Sequence, residues 1–273
     1  MNLKDALKEI IPPSDLKLLT RSYDIIGDIA VTIIPDPLQQ FEHEIAQAIF
    51  ATHKNVKVVL KRDGKYSGEH RTIPLSFIAG EKRTETLCRE FGVRLLLDLE
   101  KVYFSVRSGS ERKRIADMVL PGENVLVMFS GVAPYPLMIA KHSSAASIIG
   151  IEINEIAHAY GIKNLKLNKV TNVSLINDDV IRAVDKTGRE YDRIIMPLPY
   201  RSASFLECAI GALVPNGTLH FYDFKCSCNF DKTTSLIADL AESLDRNVLS
   251  SKMVICGHIS PQSYRICVDA VIG

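Results

Sequence analysis

Four short stretches carry residue types that could do chemistry together. An apolar run from Val125 ends in Phe129-Ser130-Gly131-Val132-Ala133-Pro134. A second apolar run ends in Glu152, 21 residues after Gly131, and a third ends in Asn177-Asp178-Asp179. The fourth is the charged stretch Ser110-Glu111-Arg112-Lys113-Arg114. Small residues at a strand end let backbone approach a ligand closely. An acidic residue about 20 residues further on suits the two hydroxyls of a ribose. A third carboxylate, at Asp178 or Asp179, could meet an adenine amino group. A full G-x-G-x-x-G is absent, because Ala133 fills the next glycine slot after Gly131. That disfavours a dinucleotide, whose pyrophosphate needs the glycine turn at a helix N-terminus. S-adenosylmethionine has no phosphate and tolerates a looser loop. The plainer reading is an α/β domain with an ordinary strand-end glycine.

Taken alone, the other reactive side chains read plainly. Glu111 is a surface glutamate at a helix start, and Arg71 is a solvated loop arginine. Met128 and Phe129 read as core. His220 reads as a satisfied strand-end histidine. Tyr200 either stacks on an unpaired base or caps a pocket. Of six cysteines, Cys88, Cys208, Cys256 and Cys267 lie in apolar contexts and read as buried thiols. Cys226-x-Cys228 is too closely spaced for a usual zinc knuckle and has no partner pair nearby, so no metal is expected. A reducing cytoplasm is the simplest setting for these thiols.

These residues need elements to position them. From Val125 the sequence alternates strands and helices. Strands are expected at 125–129, 147–152, 173–177, 193–197 and 218–224, with a last one at 264–272. Helices are expected at about 134–142, 154–168, 201–213 and 231–246. That alternation implies right-handed crossovers and a parallel sheet. The preceding third reads differently. A helix breaks at Pro12-Pro13 and a second starts at Ser14. A hairpin turns at Gly27-Asp28. A helix covers 38–52, a strand 56–60, a polar loop 62–71 and a long strand 95–105. A boundary is expected near 98–118.

Composition narrows the classes. The 273 residues are 47% apolar, which supports packed cores and excludes wholesale disorder. No apolar run reaches the roughly 20 residues of a membrane span. The N-terminus lacks the apolar core and cleavage site of a signal peptide. A formal net charge of +1 gives no global field for nucleic acid. Residues 54–114, however, hold 15 Lys and Arg against 8 Asp and Glu, a local excess of 7. Such an excess next to a candidate site is what a phosphate backbone requires.

With Tyr103-Phe104-Ser105-Val106-Arg107, Ser110-Glu111-Arg112, Met128-Phe129-Ser130-Gly131-Val132, Asp192-Arg193-Ile194-Ile195-Met196-Pro197-Leu198-Pro199 and the closing Tyr264-Arg265-Ile266-Cys267-Val268-Asp269 in order, a family resemblance emerges. From about residue 50 onward the chain resembles the archaeal and eukaryotic tRNA methyltransferases of guanosine 37 and their wyosine-pathway relatives. The resemblance implies a class I Rossmann-like methyltransferase domain with a mostly parallel seven-stranded sheet. It would span 98–273, behind a small α/β domain of residues 1–97 that helps hold the anticodon stem. Many members carry a further domain for the tRNA elbow, for which this chain's length leaves no room. The resemblance also assigns roles. Glu111 is the base that removes the guanine N1 proton, and Arg71 steadies the developing oxyanion. Pro197 and Pro199, with Leu198 and Tyr200, stand in the place of an Asn-Leu-Pro motif lining the target-base pocket. The cofactor set is Phe129, Gly131, Val132, Glu152, Asp178, Asp179 and Pro197, holding S-adenosylmethionine. Arg71, Tyr103, Arg107, Arg112 and Tyr200 face the tRNA. No obligate protein partner and no membrane are implied.

Departures from the pattern point within the family. Val127 replaces a usual aspartate, Ala133 a glycine and Val106 a proline. Pro197 replaces the asparagine and brings neither a side-chain donor nor a backbone N–H. A pocket with fewer edge contacts suits the bulkier, more apolar 4-demethylwyosine, methylated at carbon 7, as well as guanosine at N1. Two other readings compete. One is transfer of the cofactor's aminocarboxypropyl group, which Leu198-Pro199 argues against. The other is a non-catalytic RNA-binding homologue, supported by Val127 and Ala133.

Overall fold

The computed structural model describes residues 3–20, 22–64, 66–68, 70–198, 202–260 and 262–273, with nothing said of the side chain at 259. The chain forms two compact units, residues 1–90 with 94–106 and residues 91–93 with 107–273.

The first unit is built on a four-stranded sheet. Helices α1 (Leu3–Leu7) and α2 (Pro13–Leu16) come first, with a proline at the start of α2 where its missing N–H costs nothing. Strands β1 (Asp24–Ile26) and β2 (Ile29–Thr32) form the expected hairpin. Gly27 turns it at φ +60°, and a Cβ there would sit 2.7 Å from the Leu87 carbonyl oxygen. A 3₁₀ turn and α3 (Glu42–Thr52) cross over to β3 (Val58–Arg62), which pairs parallel with β2. Strand β4 (Leu75–Gly80) closes the order β1-β2-β3-β4. Leu7, Ile11, Leu38, Ile45 and Ile49 bury the helical face against Ala30 and Val59. Strands β5 (Glu85–Glu90) and β6 (Val93–Asp98) make a separate two-stranded ribbon. The expected strand over 95–105 is corrected here. It starts earlier and stops at Asp98, whose carboxylate accepts from Thr84 Oγ1 and from the Glu100 N–H and turns the chain. Strands β4 and β5 went unread because β4 is a short run ending in glycine and the two apolar residues of β5 are flanked by Glu, Thr and Arg.

The second unit opens with α4 (Gly109–Met118), followed by β7 (Asn124–Met128), α5 (Pro134–His142), β8 (Ser147–Glu152), α6 (Glu155–Asn168) and β9 (Val173–Asn177). It continues with α7 (Val180–Thr187), β10 (Tyr191–Met196), α8 (Leu206–Gly211), β11 (Leu213–Cys226), α9 (Asp231–Ser243), β12 (Val248–Ser260) and β13 (Ser263–Ile272). The sheet runs β12-β13-β11-β10-β7-β8-β9. From β11 to β9 all pairings are parallel, and β13 lies antiparallel between β11 and β12. The fold is thus Rossmann-like, mostly parallel and seven-stranded, as the resemblance implies. Helix α7 and strand β12 were not anticipated. The first is only two turns long. The second mixes serine, lysine and glycine with its apolar residues, and its ladder is broken by irregularities. The expected helix at 201–213 shrinks to a 3₁₀ turn and α8.

Order in this sheet decides function. Chain order reverses between β7 and its neighbours β8 and β10, so a crevice forms at the carboxyl ends there. The register places Met128 beside Ile151, and Ile195 beside Val127. The strand ends at Phe129, Glu152 and Pro197 therefore stand side by side. Gly150 permits this closeness. A Cβ on it would fall 2.6 Å from Leu175 Cδ2 and 3.0 Å from Ser130 Cβ.

Candidate active site

The loop after β7 carries concentrated backbone strain. Phe129, Gly131 and Ala133 all adopt left-handed backbone, at φ 58°, 55° and 68°. For a bulky aromatic or an alanine this costs about 1–3 kcal/mol each. Such outliers persist where the surroundings enforce them, often at ligand clamps. No Cβ contact lies within 4 Å of a side chain built at Gly131, so room remains beside it. The Phe129 ring packs edge-on against Phe205 at 4.9 Å, so it is part core and part loop. Val132 is fully buried, and its carbonyl accepts from Asn164 Nδ2 at 3.1 Å.

Glu152 is gripped by backbone. Its Oε2 accepts from the Gly131 N–H at 2.7 Å and its Oε1 from the Asn154 N–H at 2.8 Å. Asn154 in turn caps α6, its side chain accepting from Ile156 and Ala157 N–H. The two expected cofactor residues Gly131 and Glu152 thus touch. Asp179 caps α7 through Oδ1 in the same way. Asp178 pairs with Lys186 at 2.6 Å and Arg182 at 2.8 Å. The hydrogen bond from Lys186 is the main cause holding its carboxyl below the usual range. Both aspartates therefore have structural duties that sequence spacing did not disclose.

This crevice fits a nucleoside cofactor. An acidic acceptor is oriented at the second strand end, open space adjoins Gly131, and the Ser130 hydroxyl is buried without a partner beside it. A buried polar group without a partner is costly. Glu152 would hold the ribose and the loop at 129–133 the rest of the nucleoside.

Glu111 is held by side chains instead. Near the start of α4, it is only 7% exposed. Arg114, one turn on, donates Nε to Oε2 and Nη2 to Oε1, both at 2.8 Å. Tyr222 donates its hydroxyl to Oε1 at 2.5 Å and stands 3.1 Å from the Tyr135 hydroxyl. Tyr222 follows Phe221, which pairs with Met196 of β10. It is thus level with Pro197, and Glu111 lies at the carboxyl edge of the sheet. The resemblance had picked Glu111; the partners Arg114 and Tyr222 went unread. Burial first, and then neighbouring Tyr135, Cys267 and Glu111, push the Tyr222 hydroxyl well above its ordinary pKa. It stays a donor.

Arg114 also reaches Asp269 on β13, with Nη1 to Oδ2 at 2.6 Å. Asp269 meets His220 Nδ1 at 2.6 Å, and His220 Nε2 meets Arg193 Nη1 at 2.7 Å. A guanidinium only donates, so Nε2 accepts and the ring proton sits on Nδ1, given to Asp269. Burial lowers the His220 pKa, which keeps the ring neutral. Arg193 closes the line on Glu123 with two bonds of 2.7 and 2.8 Å. His220 lies in mid-strand rather than at a strand end. Among the described residues His220, Cys267 and Asp269 cluster closely enough to hold a cation, but the guanidinium groups of Arg193 and Arg114 already occupy His220 Nε2 and Asp269.

The remaining expected residues divide. In the first unit Arg71, at φ 51°, stacks its guanidinium over Tyr103 at 4.5 Å, and Tyr66 packs edge-on to Tyr103 at 5.2 Å. Arg107 is exposed and Arg112 is 3% exposed. Pro197 follows β10 directly, while Pro199 and Tyr200 lie outside the described residues. Of the thiols read as buried, Cys88 and Cys267 are, whereas Cys208 and Cys256 are half-buried. An open cavity of about 770 Å³ within the first unit adjoins Asp28, Arg83 and Thr86. Those groups bond to one another and offer no reactive set.

Comparison with known proteins decides the family. Residues 86–249 match the TRM5/TYW2 methyltransferase domain, and residues 3–84 match the TYW2 N-terminal domain. The chain belongs to the TRM5/TYW2 methyltransferase family. It is an S-adenosylmethionine-dependent methyltransferase. Its relatives include tRNA (guanine(37)-N(1))-methyltransferase Trm5b of Pyrococcus abyssi, 39% identical over 95% of this chain and 77% of that protein. The crystal structure of that Trm5b superposes with a TM-score of 0.87 at 38% identity, over 98% of this chain and 80% of the other. The tRNA (guanine(37)-N(1))/4-demethylwyosine(37)-methyltransferase Taw22 of Nanoarchaeum equitans is 31% identical over 91% and 98% of the two chains. Trm5 of Methanocaldococcus jannaschii in complex with adenosine has a TM-score of 0.80 at 30% identity, over 98% and 78%. Among the described residues of this TRM5/TYW2 chain, no helix is long and apolar enough to cross a membrane.

Proposed function

We propose that this enzyme methylates the base at position 37 of tRNA, beside the anticodon, at N1 of guanosine and/or C7 of 4-demethylwyosine. One observation carries the reading. A buried carboxylate, Glu111, is fixed by three hydrogen bonds at the level of Pro197, on the edge where the cofactor crevice lies. S-adenosylmethionine, when bound, supplies an electrophilic methyl group on a sulfonium. Glu111 takes the N1 proton as the N–C bond forms, and the C–S bond electrons stay on sulfur, leaving a neutral thioether. A positioned base of this kind contributes about 10²–10⁴-fold. Holding donor and acceptor in line supplies much of the rest. Glu152 and the loop at 129–133 hold the nucleoside. Asp178, Asp179 and Pro197 complete its surroundings.

The first unit contributes to binding the anticodon stem-loop. Its support is the basic excess of residues 54–114 and the Arg71–Tyr103 stack, a pairing suited to a phosphate and an unstacked base. Arg107 and Arg112 of the second unit are further candidate tRNA contacts, Arg107 exposed and Arg112 buried, and Tyr200 remains a candidate from its sequence position alone. The base is splayed out of the loop to reach the crevice. Free cysteines and a tRNA substrate support a reducing cytoplasm as the setting.

The test incubates the protein and S-adenosylmethionine with unmodified tRNA(Phe) transcript or with tRNA carrying 4-demethylwyosine, then digests and identifies nucleosides by mass. A methylated guanosine or methylated tricycle is expected. An aminocarboxypropyl adduct, or no mass gain on either tRNA, overturns the proposal.

A further inference from the structure

The salt bridge between Glu111 and Arg114 poses a chemical problem. A carboxylate paired with a guanidinium is a poor base, because the opposite charge favours its ionised form. The surrounding network shows how the difficulty is met. Arg114 is not given to Glu111 alone. Its Nη1 and Nη2 also bond Asp269, at 2.6 and 3.1 Å. Among the groups bonded in line, three carboxylates (Glu111, Asp269, Glu123) face two guanidinium groups (Arg114, Arg193), with His220 neutral between them. The line carries one net negative charge. Once Glu111 takes a proton it carries none, and Arg114 keeps Asp269 as its counter-ion.

We propose that Asp269 and Tyr222 set the proton affinity of Glu111 from opposite directions, Asp269 by sharing Arg114 and Tyr222 by donating a hydrogen bond to the ionised carboxylate. This rests on the reading of Glu111 as the base. Asp269 and Tyr222 act through Glu111 and are positioning residues. Asp269 is suited to the task because it stays charged. Burial alone would raise its pKa, but hydrogen bonds from His220 and Arg114 outweigh that and hold it well below the usual range. His220 reinforces it by aiming the Nδ1 proton at Oδ1. Among the described residues, the other groups facing this cluster include Tyr135 on α5, which adjoins Tyr222, buried Arg112 on α4, whose charge acts on Tyr135, and Cys267 on β13, whose thiol points to Asp269 Oδ1 at 3.3 Å and has the Cys256 thiol of β12 beside it. None of these bonds Glu111 in place of Arg114 or Tyr222.

The experiment is a pH profile of single-turnover methyl transfer to guanosine-37 tRNA(Phe) transcript. It compares wild type, Asp269→Asn, Tyr222→Phe and Glu111→Gln, at saturating S-adenosylmethionine. With Asp269→Asn, Arg114 turns wholly to Glu111. The acid limb is expected to move about one pH unit lower, with a lower plateau rate from the weaker base. With Tyr222→Phe, the ionised carboxylate loses a donor, and the limb is expected to move higher. Opposite shifts are an outcome that loss of packing does not produce. Limbs that coincide with wild type, or that move the same way, overturn the proposal. If Asp269→Asn fails to melt cooperatively, Tyr222→Phe decides alone, since it preserves the ring, and an unmoved limb overturns the proposal. If Glu111→Gln matches wild type, the reading of Glu111 as base fails instead, and the two failures are told apart.

Discussion

Glu111 and Glu152 occupy the same edge of one sheet and are held by different means. Glu152 is fixed by two backbone N–H groups, of Gly131 and Asn154. Glu111 is fixed by a guanidinium and a phenol, themselves tied to Asp269, His220 and Tyr135. Backbone donors cannot titrate or swing away, so Glu152 is held in place as an acceptor. Side-chain donors can share their charge with other partners, and Arg114 is divided in this way between Glu111 and Asp269. Under the proposed function, one sheet edge would separate a carboxylate for binding from a carboxylate for proton transfer.

The sharpest way to break the comparison is to neutralise each acid in turn. Glu111→Gln should lower the single-turnover rate by about 10²–10⁴-fold with little change in cofactor affinity by equilibrium dialysis. Glu152→Gln should do the reverse. Cofactor affinity should weaken by about tenfold or more, the worth of about 1.5–3 kcal/mol for a hydrogen bond to a charged group, with the rate at saturation largely kept. If both variants lose rate and affinity together, the division of labour is wrong.

Stability against pH sharpens it further. The folded pKa of Asp269 is depressed, so its contribution is present above about pH 4 and lost as pH falls through the folded value. The folded pKa of His220 is also depressed, so its contribution is present above about pH 6.5 and fades below that. Both act in one direction. Melting temperature should fall as pH drops from about 7 to 3, more gently in Asp269→Asn. Equal slopes in the two proteins would show that the buried line is not what acid attacks. The smallest effect concerns the backbone side. Asn154→Ala removes the α6 cap and should cost about 1 kcal/mol, or roughly 2–4 °C in Tm, with a modest loss of cofactor affinity because the capped turn positions the residue-154 N–H that holds Glu152. A Tm within about 0.5 °C of wild type, well under that shift, would mean the cap is idle.

Much of this layout was legible without coordinates. The strand–helix alternation after Val125 marked β7 to β11, because buried parallel strands read as apolar runs. Glu152 and Gly131 were legible as a pair because spacing after a βα turn is local geometry. Short α7, with only two turns to show its period, was not. Nor was β12, whose sheet edge tolerates polar residues. The helix-capping role of Asp179 and the lysine pairing of Asp178 were not legible beside their reading as ligands, because a carboxylate looks alike in sequence whether it caps a helix, pairs with lysine or faces a cofactor.

The sequence by itself therefore determined the class of sheet, the strand end at Phe129–Ala133 and, through resemblance, the choice of Glu111. Tertiary structure decided what Glu111 is bonded to. Tyr222 and Asp269 lie 111 and 158 residues away along the chain, on strands that meet only in the folded sheet. Local periodicity records which face of an element is apolar. It holds no record of which distant charges converge on that face.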